Sequence, residues 1–560
     1  MLSFAAKLSS FYIIKKKRKE FEQGCIRDPK IDGIPVVYIQ RDKKNLYVGK
    51  STDIYERFVA HISDEAKTFN EVIVIKSELF NESSIKHIET LLIEYLSADD
   101  KFNLLNKVRG QKIHSYNGIE DVQSMFKEIW NGLIKEGVAS ENLGEIHNKF
   151  IYKYSPFKEL SANQIEVCKD IFNTMLTTSN SRHLITGDPG TGKTIVLTNI
   201  LYALAYDSET GKAREGLNYK DIALVVPQNH SLNLYKSLMN KLGLQSITVL
   251  SPSQFIKQAK SRGTKYKYVF VDEAHRLKQY FGKQARDLKH LVTDNGYTTE
   301  LELIETFAYH LTVVYDPYQT IRPADIDTDV FQQLTANYKR HPLHKQFRLK
   351  SGDQYLAWLR KYLQIANNVG VYEEGLLQGY DFKVMDSITE LNESMKILNK
   401  KHELCRVVAG YSWKWITQKD KNHYDIKDPV TGETFKWNSK VKGWINFENS
   451  IEEIGCIHTT QGADLNYVGV ILGAEIDCDY AGEENGDYDL NKAKIVVNPK
   501  EYKDRNGLPI KGTDINNEEL TSYIKRIYYV LLSRGINGCY VYAVNQNMQR
   551  YLKEIAKVSQ

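Results

Sequence analysis

The sequence predicts an α/β protein in three parts: a small α/β unit near the start, then two lobes built on parallel sheets. Three observations predict it. An octapeptide, Gly187 to Thr194, reads Gly-Asp-Pro-Gly-Thr-Gly-Lys-Thr between an apolar run and a helical one. From about Phe157 onward, short continuous apolar runs alternate with helical patterning, as parallel strands covered on both faces require. Between Ile34 and Gln111, two β-like runs flank a polar turn, and a helical stripe follows.

The bulk numbers bound the class. A chain of 560 residues, 42% hydrophobic and 26% charged, has the composition of a soluble, multidomain globular protein. No apolar stretch reaches the ~18 residues that span a bilayer. The basic run Lys15-Lys16-Lys17-Arg18-Lys19 follows a mildly apolar segment, the reverse of a secretory leader, and reads as a solvated helix face. Residues 1–33 are therefore expected to be a basic extension. A net charge of only +5 confines any nucleic-acid surface to a local patch. The six cysteines are far apart, with no C-x-x-C pair, which argues for reduced thiols and a cytoplasmic protein.

In the first unit, Val36 to Ile39 and Asn45 to Val48 form a hairpin-like pair, and Glu71 to Lys76 is a third strand. Ser84 to Leu96 is a helix by the spacing of Ile85, Ile88, Leu91, Leu92 and Tyr95. Residues 113–156 read as a helical linker. Beyond them the expected buried strands are Leu184-Ile185, Ile222 to Val226, Tyr268 to Val271, Leu311 to Tyr315, Arg406 to Ala409, Tyr467 to Leu472 and Cys539 to Ala543. About 400 residues exceed one core, which implies two lobes, here set at 157–345 and 346–560. An acidic stretch, Glu475 to Asp489, reads as a solvated insertion, with Asp477 and Asp479 as a remote metal candidate.

The octapeptide is a phosphate loop. Across Gly187, Asp188, Pro189, Gly190, Thr191 and Gly192 the glycines let backbone N–H groups close on a polyphosphate, Lys193 would reach the outer phosphates, and Thr194 would hold magnesium. Val269 to Val271 is an apolar strand ending in Asp272 and Glu273. Asp272 would complete the magnesium shell, and Glu273 would deprotonate the attacking water. Gln319, after the strand Thr312 to Tyr315, is placed to sense the terminal phosphate. Arg534, after Tyr529 to Leu532, and Arg348 are candidates to meet transition-state charge.

The order of these pieces resembles superfamily 1 helicases across nearly all of residues 157–555. Gln164 resembles their adenine-reading glutamine. Val225 to Gln228 resembles a nucleic-acid contact, and Ile457 to Asp464, with Gly462, the motif that couples nucleotide and strand. Val530 to Gly535 resembles the final arginine motif. Val271 to Leu277, Ala409 to Trp415 and Ile457 to Leu472 more narrowly resemble the Schlafen-type helicase-like domain of bacterial proteins. The departures are Tyr315 and Gly535, where many relatives have Gly and Ala. The resemblance implies two RecA-like parallel-sheet lobes that bind ATP and move on a strand. Tyr411, Trp413 and Trp415 are candidate stacking platforms, with core packing as the alternative.

The first unit carries its own ordered set: Val36-Val37-Tyr38, Tyr47-Val48-Gly49, then Arg57, His61, Glu89 and Asn106. Over residues 34–112 this resembles the GIY-YIG endonuclease family, although Val replaces Gly and Ile in the first triad and Ile in the second. The resemblance implies phosphodiester hydrolysis. Tyr38 or Tyr47 acts as base, Arg57 stabilises phosphate charge, and Glu89 ligates one divalent ion. Arg57 and His61 share a helix face. Asn103 competes with Asn106, and Glu94 with Glu89. Together the resemblances imply an ATP- and Mg2+-dependent helicase fused to an endonuclease. DNA is the favoured substrate and RNA is left open; no membrane is involved, and there is room for an oligomeric or defence-system protein partner. The expected role is bacterial defence against phage DNA. DNA repair, or an ATP-gated nucleic-acid sensor without cleavage, stands as the alternative.

Overall fold

The structure is a computed structural model. It describes residues 11–21, 24–60, 69–106, 119–143, 146, 149–156, 158, 160–207, 213–279, 296–322, 324–365, 377, 379–417, 419–440, 444–460, 464–480, 490, 493–504 and 517–559. The chain divides into two compact units, one of residues 1–173, 194–219 and 234–247, the other of residues 174–193, 220–233 and 248–560.

The first unit is built on a five-stranded sheet. Its strands β1 (Phe11–Lys17), β2 (Val36–Arg41), β3 (Asn45–Ser51), β4 (Glu71–Ser77) and β5 (Asn103–Leu104) lie in the order β1-β4-β2-β3-β5. Every pairing is antiparallel except β3 with β5. β2 is central, so Val36 through Gln40 are all buried and the strand reads as one apolar run. The helix Glu82–Asp99 packs on β3. Asn81 caps it by accepting from the Ser84 N–H, while the Ser84 hydroxyl accepts from the Asn81 N–H, a reciprocal box that satisfies two otherwise orphaned donors.

Two expectations are corrected here. The basic N-terminal run is not a helix face. Residues Phe11–Lys17 form an edge strand on β4, so the sheet begins inside the segment marked as an extension. Its lysines suit that edge, because charge there discourages further strand addition. Lys15 pairs with Glu136 at 2.5 Å and Lys16 with Asp28 at 3.0 Å. Nor do the described residues of 113–156 behave as a linker. The helix Ile119–Lys135 buries Met125, Ile129, Trp130 and Leu133 completely. Tyr95 meets Phe126 and Trp130 at centroid distances of 5.1 and 5.6 Å, and the Trp130 indole donates to the Glu141 carbonyl at 2.9 Å. Asp99, 2% exposed, accepts from the Ser140 and Glu141 N–H groups. The apolar stripe was in the sequence, but its partner face exists only once the helix carrying Tyr95 is laid on the sheet.

The second unit holds two RecA-like parallel sheets. The first contains β6 (Ser181–Gly187), β7 (Ile222–Val225), β8 (Thr248–Leu250), β9 (Tyr266–Val271), β10 (Ala308–Tyr315) and β11 (Lys339–Leu343), in the order β11-β6-β10-β9-β7-β8. The strands β12 (Asp381–Val384) and β13 (Cys405–Ala409) are followed by the hairpin β14 (Ile426–Lys427) and β15 (Thr434–Phe435). Then come β16 (Ile454–Cys456), β17 (Leu465–Leu472), the hairpin β18 (Ile476–Tyr480) and β19 (Ala493–Val497), and β20 (Gly535–Ala543). The second sheet has the order β12-β20-β17-β13-β16. All strand pairs within both sheets are parallel.

Each of the seven strands expected from the sequence lies in these sheets. β8, β11, β12 and β16 carried no clear signal, being short or polar. Pro342 inside β11 is tolerated because β11 is an edge strand. In the first sheet β10 lies between β6 and β9, so the carboxyl ends of these three strands emerge side by side, where open parallel sheets bind ligands.

Replacing Trp130 with Ala should cost the first unit roughly 3–5 kcal/mol through lost burial and a residual cavity. The urea midpoint of that unit's unfolding measures it.

Candidate functional site

The phosphate loop leaves β6 at Gly187. Gly190 and Gly192 take φ of +87° and +82°, a left-handed backbone that glycine adopts without penalty. Gly187 must also be small, since a Cβ there would lie 2.6 Å from the Thr191 hydroxyl and 2.9 Å from the Leu343 carbonyl. The Thr191 hydroxyl donates to the Asp188 carbonyl at 2.9 Å and tightens the turn. The helix Lys193–Ala205 follows directly, giving the loop-then-helix-start arrangement that accepts phosphate. Lys193 donates to the carbonyls of Gly187 and Asp188 at 2.5 and 3.0 Å and pairs with Asp316 at 3.1 Å. Thr194, next along the helix, is buried.

Asp272, 1% exposed, ends β9, and its N–H donates to the Val225 carbonyl at 3.1 Å. Glu273 sits at φ +52°, a strained conformation for a residue with a side chain. Its carboxylate lies 2.9 Å from His275 Nε2. Burial pushes the Glu273 carboxyl up, but the charges of His275, Lys193 and Arg276 outweigh it and hold the group below the usual carboxylate range. It is therefore ionised near neutral pH, the state a proton acceptor needs.

Asp316 is the residue that sequence reasoning missed here. Fully buried at the end of β10, it accepts from Lys193 and, at 2.7 Å, from Gln319 Nε2. The only signal in the sequence was its place at the end of an apolar strand. Gln319 and Lys193 thus share the Asp316 carboxylate. Tyr315, one of the two family departures, is 3% exposed and stacks on Phe331 with centroids 3.8 Å apart. At the other departure, Gly535, a Cβ would run into the Gly538 carbonyl.

The arginines sort differently from expectation. Arg348 is held near the loop by its own backbone: the Phe347 N–H donates to the Gly190 carbonyl at 2.9 Å, and a Cβ at Gly190 would lie 2.7 Å from the Arg348 Cβ. Its guanidinium pairs with Asp464 at 2.6 Å. Arg534 is 3% exposed. The arginine that touches a phosphate-loop side chain is Arg360, which the sequence did not single out. It pairs with Asp188 at 2.9 Å and donates to the Tyr529 hydroxyl at 3.1 Å.

The second set of site residues lies on the sheet of the first unit. Tyr38 on β2 faces Gly49 across the β2–β3 ladder, and any Cβ at Gly49 would overlap the Tyr38 ring and hydroxyl. The glycine of the second triad therefore makes room for the tyrosine of the first. Burial pushes the Tyr38 phenol up, Tyr47 adds to this, and Arg57 pulls it back. Glu89 is likewise pushed up by burial, against the pull of Lys50, Arg57 and Lys86. Tyr47, Arg57 and Glu89 all bear on the Tyr38 phenol, and Arg57 bears on Glu89 as well. Glu94 is 9% exposed and acts on Tyr95 and Tyr152, while Glu89 acts on Tyr38. Asn106 accepts from the Val48 N–H at 2.9 Å and donates to the Val48 carbonyl at 2.8 Å, bracing β3 between Tyr47 and Gly49. Asn103 reaches Asn45 at the other end of that strand. His61 and Gly462 lie outside the described residues.

Three further candidate groups make contacts within the fold. Tyr411, Trp413 and Trp415 gather around the buried Trp437 at 4.9, 6.3 and 6.3 Å, as core packing. Gln164 accepts from the Ser161 N–H at 2.9 Å and so caps the helix Ala162–Thr177. The described part of the acidic stretch is a strand, not a solvated insertion. Glu475 is 1% exposed and accepts from the hydroxyls of Ser412 and Tyr528, and burial pushes its carboxyl up to about 7. Asp477 is occupied by the N–H groups of Cys478 and Met548. Among the described residues, no group of three His, Cys, Asp or Glu side chains is placed to hold a metal ion, and no helix is long and apolar enough to cross a membrane. The cysteines are free thiols, four of the six buried.

The model of the Schlafen group 3 DNA/RNA helicase domain matches residues 181–545. The chain belongs to this family. The match to the Schlafen group 3 helicase domain begins at β6 and does not include the sheet of the first unit. A curated relative of this Schlafen group 3 chain, Uncharacterized protein YPL245W of Saccharomyces cerevisiae, is 27% identical over 409 residues, 67% of this chain and 84% of that protein. Among solved structures, Arterivirus nonstructural protein 10, a helicase, overlaps at TM-score 0.29 and 14% identity, over 68% of this chain and 64% of that one. The chain therefore spans just under two thirds of the arterivirus helicase. The Sulfolobus solfataricus SWI2/SNF2 ATPase core in complex with dsDNA overlaps at TM-score 0.23 and 11% identity, over 56% and 82%.

Two outcomes follow from this geometry. Gly49→Ala should displace Tyr38 and destabilise the first unit by roughly 1–3 kcal/mol, the usual cost of overpacking, read from its urea midpoint. Glu475 has a folded pKa above its unfolded one, so its neutral form favours the fold, and stability falls as pH rises from about 4.5 through about 7. Between pH 5 and 8 the wild type should lose roughly 2–3 kcal/mol that Glu475→Gln does not lose. Urea midpoints across that range check it.

Proposed function

We infer that this Schlafen group 3 helicase hydrolyses ATP to move along or unwind nucleic acid, and that its first unit carries a metal-dependent endonuclease pocket of the GIY-YIG kind. The observation that carries the motor reading is the convergence, at one edge of the first RecA-like sheet, of the phosphate loop, Lys193, Asp272, Glu273 and Asp316. On ATP binding, Lys193 exchanges Asp316 and the loop carbonyls for the outer phosphates. Glu273, already ionised, accepts the proton of the attacking water. Arg348 and Arg534 meet the charge that develops on the transferring phosphoryl group. The Thr194 hydroxyl and the Asp272 carboxylate are each a hard oxygen donor of the type magnesium takes; a magnesium ion on the phosphates would neutralise part of their charge.

The nuclease reading is supported by the ordered set Tyr38, Tyr47, Arg57 and Glu89, of which Tyr47, Arg57 and Glu89 all bear on the Tyr38 phenol. One of the tyrosines takes the proton of the attacking water, and Arg57 answers the charge on the scissile phosphate. Glu89 supplies one oxygen to a divalent ion, and the nearby lysines Lys50 and Lys86 suit a phosphate backbone. Asn106 positions the strand that bears Tyr47. DNA is the proposed substrate, and cutting foreign DNA such as phage genomes is the proposed role.

One assay tests both readings: supercoiled plasmid and single strands, with magnesium, with and without ATP. Lys193→Ala should lower ATP turnover at least about a hundredfold. Glu89→Ala should abolish nicking and leave ATP turnover unchanged. Equal nicking by wild type and Glu89→Ala ends the nuclease reading, and wild-type protein that turns over no ATP with any polynucleotide ends the motor reading.

A further inference from the structure

The phosphate loop holds four charged groups in two pairs. Lys193 closes on Asp316 at 3.1 Å, and Arg360 closes on Asp188 at 2.9 Å. Both carboxylates are inside the protein, Asp316 completely and Asp188 with a quarter of its side chain exposed. Asp188 is a poor neighbour for a polyphosphate: burial and the charge of Asp316 already push its carboxyl up, and Arg360 and Lys193 offset this. Arg360 is placed with care. It projects from the helix Asp353–Tyr362, packs over the Tyr318 ring at 5.2 Å and is steadied by the Tyr529 hydroxyl. Tyr318 belongs to the short turn that Asp316 caps, so the two ion pairs share one framework. Arg348 is engaged by Asp464.

A guanidinium so placed has a planar fork that fits two phosphate oxygens better than one carboxylate oxygen. The triphosphate also carries several charges where Asp188 carries one, so it outcompetes that carboxylate. We propose that Arg360 is a phosphate-contacting residue that exchanges Asp188 for the terminal phosphate of ATP, reporting the nucleotide to the second sheet's helices. This rests on the ATP reading above and deepens it. The Lys193 exchange loads the loop; the Arg360 exchange distinguishes ATP from ADP, because only ATP brings the outermost phosphate. Through Tyr529 the move is passed to the helix Asn517–Leu532, which ends two residues before Arg534.

The test uses the full chain as wild type, Arg360→Ala, Arg360→Lys and Asp188→Asn. The affinities for a non-hydrolysable ATP analogue and for ADP are measured by calorimetry with magnesium, beside ATP turnover. Arg360→Ala should weaken the ATP analogue about tenfold while ADP changes by less than about threefold, and turnover should fall roughly a hundredfold. Arg360→Lys should recover part of the loss. Asp188→Asn, which removes the competing carboxylate, should tighten the ATP analogue. ADP binding by each variant doubles as the check on folding. Wild type that binds neither nucleotide sinks the ATP reading itself. Wild type that binds both, with an unchanged ATP-to-ADP affinity ratio in Arg360→Ala, sinks this proposal alone. So does an Asp188→Asn variant that loses ATP affinity as Arg360→Ala does, because the pair would then be a structural brace.

Discussion

Two cations and two carboxylates close on one another at the phosphate loop, and much of the second unit's architecture serves to bring them there. Lys193 follows a loop whose glycines alone permit its backbone, and Asp316 ends the strand beside β6. Arg360 comes from a helix of the second lobe. Each cation is held by a carboxylate weaker than the polyphosphate the loop is shaped to take. The site is thus kept charge-balanced and ordered by contacts that a stronger anion displaces. Pre-organisation of this kind is inexpensive, because the side chains are already desolvated and positioned before they are needed.

A different constraint governs the first unit. Tyr38 is buried in a central strand, and its ring occupies the space where its cross-strand partner would otherwise carry a side chain. Gly49 follows from that, and Asn106 braces the same strand through both edges of Val48. The placement of the two tyrosines is therefore fixed by strand register, and a slip of one residue would turn Tyr38 and Tyr47 to other faces. Burial sets the electrostatics as well, raising both the Tyr38 phenol and the Glu89 carboxyl against the pull of nearby cations.

Elsewhere, polar groups that read as functional turned out to be structural. Glu475 is a buried acid bonded to Ser412 and Tyr528, and three aromatic candidates pack around Trp437. Burial decides these cases: a polar or aromatic side chain inside a fold must be satisfied there, which leaves less of it for a ligand.

What the sequence determined by itself was local. The glycine-rich turn, the long apolar strands on both sides of it and the two carboxylates after Val271 are each written within a few consecutive residues, because backbone sterics and strand burial act over that range. Short or polar strands such as β8, β11 and β12 left no such mark, and the Lys-rich edge strand β1 looked like a helix face because an edge tolerates charge. Tertiary structure alone decided which distant groups meet. Asp188 and Arg360 are 172 residues apart, and nothing near either one names the other. Their pairing depends on strand order and on which helix face turns inward, and only the packed fold sets these.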